Sequence, residues 1–181
     1  MKVAGGDSLD VFSQGPVGLS ATLLGAAMGM RVIAIETNAE RMKLAKEFGA
    51  DAVVDATREN PVDRLRDLTR GEGVDFSLEC SSASAAREAA VRAVKTWGTA
   101  CFVGEGGDVR INVSPDLLRR QVTLIGSWTF SAMGMAECAR FIDDNDIDLE
   151  RIFSHRWKLE QADEAYRTFD TQSTGKGVFL L

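Results

Sequence analysis

The chain has 181 residues, enough for one ordinary domain that buries roughly 70% of its unfolded surface. Its 45% hydrophobic and 27% charged residues are those of a globular chain, and a net charge of -6 argues against a nucleic-acid footprint, which needs a basic face. No apolar run reaches the roughly 20 residues of a membrane span and no secretion-signal pattern is visible, so no membrane partner is expected and the cytoplasm is the expected compartment.

In chain order, an apolar strand-like run over Leu9–Phe12 leads to a glycine loop, Ser13-Gln14-Gly15-Pro16-Val17-Gly18, and then to a small-residue helix over 19–29. A strand over Val32–Glu36 ends in an acid. Strand-like runs follow at Ala52–Asp55, Asp75–Glu79, Ala100–Gly104 and Val122–Trp128, with helical segments near 38–48, 61–70, 83–95 and 115–120 between them. Asn60-Pro61 and Ser114-Pro115 put proline in a first helical turn, where its missing N–H costs nothing; Gly49 and Gly71 stop the preceding helices. The later strands are continuous apolar stretches, as in a parallel sheet covered on both faces. This alternation predicts right-handed βαβ units and an α/β fold, a doubly wound parallel sheet of the Rossmann type, in two halves at about 8–56 and 73–130.

Residues 131–181 read differently. A helix near 132–144 runs into an acidic turn, Asp143-Asp144-Asn145-Asp146, which lacks metal-loop spacing. A strand over Ile152–Lys158, a helix from Glu160 to about Thr171 and a run over Gly177–Leu181 complete the chain. The expected organisation is a dinucleotide-binding core over 1–130 and a C-terminal helix-strand extension over 131–181 packing on it. Cys80, Cys101 and Cys138 lie far apart without C-x-x-C spacing, and His155 is the sole histidine, so no zinc ligand set is expected here.

A strand, a glycine loop, a helix and a second strand ending in an acid are the parts that hold a dinucleotide. The helix N-terminus offers unpaired N–H groups and a positive dipole end to a pyrophosphate. Glycines allow close approach of the phosphate, and a carboxylate about 20 residues on accepts ribose hydroxyls. Glu36 stands at that place.

At this point the chain resembles the zinc-containing alcohol and polyol dehydrogenases of the medium-chain superfamily, over nearly all of residues 5 to 181. The resemblance rests on GGDSLDVFSQGPVGL, ERMKLAKEFGAD, TACFVGEGG, LIGSWTF and FDTQSTGKGVFLL, in that order. It covers the NAD-binding half of such an enzyme, and the zinc-holding catalytic domain that precedes it in the family has no counterpart among these residues. By resemblance, Gly15, Pro16, Val17 and Gly18 line the pyrophosphate, Glu36 takes the adenosine ribose hydroxyls, and Arg41 lies near that ribose. Cys80 and Ser81 flank the adenine-side crevice. Val103, Gly104 and Glu105 approach the nicotinamide ribose, the backbone of Ser127, Trp128 and Thr129 meets the carboxamide, and Lys176 reaches the pyrophosphate. The resemblance further implies NAD(H) as cofactor, an alcohol or polyol substrate brought by the catalytic domain, no catalytic residue in this chain, and a homodimer joined through Gln121–Phe130. Trp128, Phe130, Met133 and Met135 are then expected to be partly exposed beside an interdomain cleft.

Two departures stand out. Ser13 replaces the first glycine of the loop, which implies conformational cost and weakened binding. Asp10 interrupts a strand that should be apolar, and no partner for it is visible. Other readings fare worse. A short-chain dehydrogenase needs a lysine four positions after its tyrosine, but Tyr166 is followed by Asp170. A hydroxy-acid dehydrogenase needs a catalytic histidine, whereas His155 sits in FSHRW, which resembles a structural loop. A methyltransferase shares only the first 40 or so residues and lacks LIGSWTF and TGKGV. The rival from another class is a stand-alone nicotinamide-binding sensor or interaction module.

Overall fold

Strands form at the apolar runs, Asp10 within the first included: β1 (Ser8–Phe12), β2 (Arg31–Glu36), β3 (Ala52–Asp55), β4 (Val74–Glu79), β5 (Val94–Phe102) and β6 (Thr123–Gly126). They make one six-stranded sheet in the order β3-β2-β1-β4-β5-β6, parallel throughout. This is the doubly wound, Rossmann-type α/β fold. The computed structural model describes residues 1–171 and 175–181, so residues 172–174 of the terminal block lie outside the described residues. Two units emerge, Met1–Ser127 and Trp128–Leu181.

In the first unit the connecting helices are α1 (Pro16–Ala27), α2 (Ala39–Glu47), α3 (Pro61–Leu68) and α4 (Ser84–Ala93). Alternate strand residues serve opposite faces of the sheet. Phe12, Ile33, Ile35 and Val54 pack with Leu65 and Val91 on one face; Leu9, Val11, Met30 and Val32 pack with Phe76 and Leu78 on the other. Such double-sided burial is why β2 reads Val-Ile-Ala-Ile without a polar break.

Some boundaries differ from the sequence expectation for physical reasons. Helix α1 begins at Pro16 rather than at residue 19, because proline's fixed φ suits the first helical position and carries Val17 and Gly18 into the first turn. Strand β5 starts at Val94, which pairs with Val74 ahead of a register shift, and Trp97 adopts a left-handed φ of 62° within it. The helix expected over 115–120 is a single π turn, Val113–Leu117, followed by a 3₁₀ turn, Leu118–Arg120. Gln121, at φ 50°, ends it.

The second unit holds α5 (Ala132–Asp144), β7 (Phe153–Lys158), α6 (Ala162–Asp170) and β8 (Lys176–Leu180), with β7 and β8 paired in parallel. Its buried apolar residues are Ile152, Trp157 and Ala165. His155 stacks on Trp157 with ring centroids 5.0 Å apart. No residue of α5 is buried. Trp128, Phe130, Met133 and Met135 are 67%, 74%, 72% and 55% exposed, in line with the partial exposure expected of these four.

Candidate functional site

The chain leaves β1 at Phe12 and turns at Ser13, whose φ of 71° lies in the left-handed region that favours glycine. The Ser13 amide donates to the Ile35 carbonyl at 2.8 Å, fixing the turn against the end of β2. Gln14 is fully buried. Its Nε2 donates to the Val11 carbonyl at 3.0 Å, and its Oε1 accepts from Thr22 Oγ1 at 2.8 Å, so the loop is tied to both β1 and α1. Gly18 faces the turn so closely that a Cβ there would lie 1.8 Å from the Ser13 carbonyl oxygen. Only glycine fits.

The N-termini of the first three helices are treated differently. Asn38 caps α2 and Asn60 caps α3, each accepting from two backbone N–H groups. Helix α1 has Gly15 at its N-cap, no side-chain cap and no acid in its first turn. Its leading N–H groups are left open to an anion. The Arg41 guanidinium lies beside this end: a Cβ on Gly15 would sit 3.8 Å from Nη1 and Nη2. Burial lowers the Arg41 pKa from its ordinary value, and the charge of Glu36 acts against that.

Glu36 ends β2 as a buried carboxylate. Its Oε2 accepts from the Gln14 amide at 2.6 Å, so loop and acid are joined across 22 residues of sequence. Its Oε1 accepts from the Thr37 amide at 2.7 Å, Thr37 Oγ1 at 3.2 Å and the Asn38 amide at 3.1 Å. The carboxylate is oriented before any ligand arrives.

Strand order reverses between β1, with β2 on one side, and β4 on the other. Above that point a crevice of about 370 Å³ opens between Phe12, Ser13, Ile35, Glu36 and Thr37 on one wall and Ser81, Ala83 and the alanines of α4 on the other. Its volume lies in the range of small-molecule sites.

Sequence reasoning missed the pair beneath the second wall. Glu79 ends β4 fully buried, and its Oε1 accepts from the Ser81 amide and hydroxyl at 2.5 Å each and from the Ser82 amide at 2.9 Å. Its Oε2 is 3.4 Å from Arg87 Nε. Arg87 Nη2 donates to the Gly104 carbonyl at 2.5 Å, and the guanidinium lies 5.6 Å from the Phe102 ring centre. One buried ion pair therefore holds the loops that follow β4 and β5. The available signal was an acid ending an apolar strand, as at Glu36, with an arginine eight residues on.

The other expected site residues fall in several places. Ser81 lines the crevice, whereas the Cys80 side chain packs with the Leu9 and Val11 cluster on the opposite face of the sheet. Burial, then Glu79, then Cys101, push the Cys80 thiol up to about 12. The Val103 and Gly104 amides both donate to the Glu79 carbonyl, at 2.9 and 3.1 Å, and Glu105 is exposed beyond them. The Ser127 amide donates to the Phe102 carbonyl at 2.9 Å, so Ser127 stands at the same ends of the strands. Trp128, Thr129 and Lys176 belong to the second unit. There Thr129 has a φ of 53°, and Lys176 borders an apolar groove of about 230 Å³ with Trp157, Tyr166 and Phe179. Among the described residues no three His, Cys, Asp or Glu side chains converge on a metal position, and no helix is long and apolar enough to cross a membrane.

The sequence profile of a family described as zinc-binding dehydrogenase matches residues 16–144. Among curated proteins, the chain is similar to the uncharacterized zinc-type alcohol dehydrogenase-like protein YphC of Escherichia coli (strain K12), with 36% identity over 98% of this chain and 50% of that protein. It is 31% identical to the L-threonine 3-dehydrogenase of Pyrococcus horikoshii, over 97% of this chain and 52% of that protein. Of the solved structures, the alcohol dehydrogenase of Thermus sp. ATN1 superposes with a TM-score of 0.84 and 28% identity, over 98% of this chain and 51% of the other. The chain spans about half the length of the curated relatives it matches.

Proposed function

The chain belongs to the zinc-binding dehydrogenase family and matches its NAD-binding part, and we propose that it binds NAD(H) for hydride exchange with an alcohol or polyol. The observation that carries this reading is the junction of an uncapped helix N-terminus and a pre-oriented carboxylate at one reversal of strand order. The donors suit the cofactor. Open N–H groups at the start of α1, with Gly15 and Gly18 allowing close approach, suit a pyrophosphate. Glu36, a carboxylate acceptor on the crevice wall whose Oε2 takes the Gln14 amide, suits the hydroxyls of the adenosine ribose. The crevice lined by Ser81 and the α4 alanines suits a flat, largely apolar base.

When bound, the nicotinamide supplies the carbon that takes up or releases hydride. This chain's own part is to bind and orient. Arg41 beside Gly15 adds positive charge near the phosphates and the ribose, and Val103, Gly104 and Ser127 shape the ends of β5 and β6 where the nicotinamide half would extend. Two of the relatives are named alcohol dehydrogenase and L-threonine 3-dehydrogenase, which supports an alcohol or polyol as substrate, and the zinc-binding dehydrogenase family supports a zinc-holding catalytic domain as the part that would bind it. A homodimer is part of the same proposal. Strand β6 ends the sheet order with one edge unpaired within the sheet, and Thr123 and Leu124 are exposed on it.

Calorimetric titration of the full chain with NADH and NADPH tests the function. Binding of NADH in preference to NADPH is the expected result, and binding of neither overturns the reading.

A further inference from the structure

Ser13 is held where glycine is the comfortable residue, with φ at 71°. Its backbone has a use: the amide bonds Ile35, and the carbonyl oxygen lies against Gly18. Among the described residues the Ser13 hydroxyl has no hydrogen-bond partner, although the residue lines the crevice. The polar side chains around it are all engaged. Gln14 bonds Val11 and Thr22, Glu36 accepts from four groups, and the Ser81 hydroxyl donates to Glu79.

We infer that the Ser13 hydroxyl contacts the ligand directly, donating to a hydroxyl oxygen of the adenosine ribose; this inference rests on the NAD(H) reading. The chemistry of the wall supports a ribose over a phosphate. A carboxylate only accepts, so Glu36 can accept a hydrogen bond from a ribose hydroxyl but donates none to its oxygen. A ribose hydroxyl both donates and accepts, and Ser13 supplies the missing donor on the same wall. A phosphate placed there would meet the Glu36 charge at close range, whereas the uncapped start of α1 already offers it N–H groups. Serine at this position therefore selects for an intact ribose, at the cost of a left-handed backbone.

Two substitutions separate the hydroxyl from the backbone. Ser13→Ala keeps the strain and removes the hydroxyl, while Ser13→Gly removes both. The full chain and both variants are titrated with NADH and with its 2′-deoxyadenosine and 3′-deoxyadenosine analogues, and each is melted. Ser13→Ala is expected to melt like the parent and to bind NADH about tenfold more weakly, the worth of one hydrogen bond to a ligand. Against the analogue lacking the contacted hydroxyl, parent and variant should bind alike. Ser13→Gly should melt higher and bind no better than Ser13→Ala. The inference is overturned if Ser13→Ala binds NADH as tightly as the parent, or if Ser13→Gly binds more tightly than the parent. Failure of the parent itself to bind NADH overturns the NAD(H) reading and this inference with it, and is distinct from binding that is indifferent to position 13.

Discussion

Ser77 stands opposite Asp10 in the register of β4 against β1, and its hydroxyl donates to Asp10 Oδ1. Asp10 is fully buried in the middle of the sheet, and its Oδ2 has no partner among the described residues. Burial raises the carboxyl pKa well above its ordinary value, outweighing the Ser77 hydrogen bond and one from the Leu78 backbone. The folded chain thus keeps a proton that the unfolded chain gives up. Asp10 is harmless below the ordinary carboxylate range. Above it, stability falls by about 1.4 kcal/mol per pH unit until the raised value is reached. Asp10→Asn keeps an acceptor for Ser77 but cannot ionise. Urea unfolding of both proteins between pH 4 and pH 8 should show the variant gaining on the parent as pH rises, and parallel curves would refute the account.

Gly18 leaves no room for a side chain. Alanine there would place its Cβ 1.8 Å from the Ser13 carbonyl, so α1 must move off β1. Gly18→Ala is expected to cost about 3 kcal/mol or more, as an overpacked backbone contact. It should also remove NADH binding, because the phosphate end of α1 is displaced. Thermal melting with a cofactor titration checks both effects.

Glu36 should set the choice between the two nicotinamide cofactors. Its carboxylate would repel a 2′-phosphate, and Thr37-Asn38-Ala39 supplies no arginine to receive one. Glu36→Ala is predicted to weaken NADH by about tenfold while weakening NADPH less, since a ribose bond and a repulsion vanish together. The ratio of the two dissociation constants is the readout, and an unchanged ratio would remove Glu36 from this role.

The Glu79–Arg87 pair is dangerous to break by halves. Arg87→Ala leaves a fully buried carboxylate without its cation and should cost about 3–5 kcal/mol. Removing both charges, as Glu79→Gln with Arg87→Met, should cost distinctly less. Denaturant unfolding of the single and double variants gives the coupling between the two sites. Additive losses would mean that the pair does not act as one unit.

The unpaired edge of β6 should pair with that of a second copy. Light scattering at micromolar concentration is expected to give twice the mass of one chain. Leu124→Lys, which charges a position already 40% exposed, should give a folded monomer whose melting temperature no longer depends on protein concentration. A parent that scatters as a monomer would count against the edge assignment.

The order of strands and helices was legible in the residues because its signals are local. Most of the buried strands are marked by mainly apolar runs, several helix starts by a proline or a cap, and the Ser13–Gly18 loop with Glu36 spans little more than 20 residues. Where several weak local preferences compete, the ends shifted, as with the early start of α1 at Pro16 and the turns that replaced a helix near 115–120. What no stretch of sequence announced were the pairings across long separations. Ser77 became the partner of Asp10 across 67 positions only because β4 lies next to β1 in one register. The hold of Arg87 on Glu79 and Gly104 likewise depends on α4 covering the ends of β4 and β5. Local sequence sets which element forms, since hydrophobic period and caps act within a turn or two. Which polar group meets which inside the sheet is decided by register and crossover geometry, and these exist only once the strands have assembled.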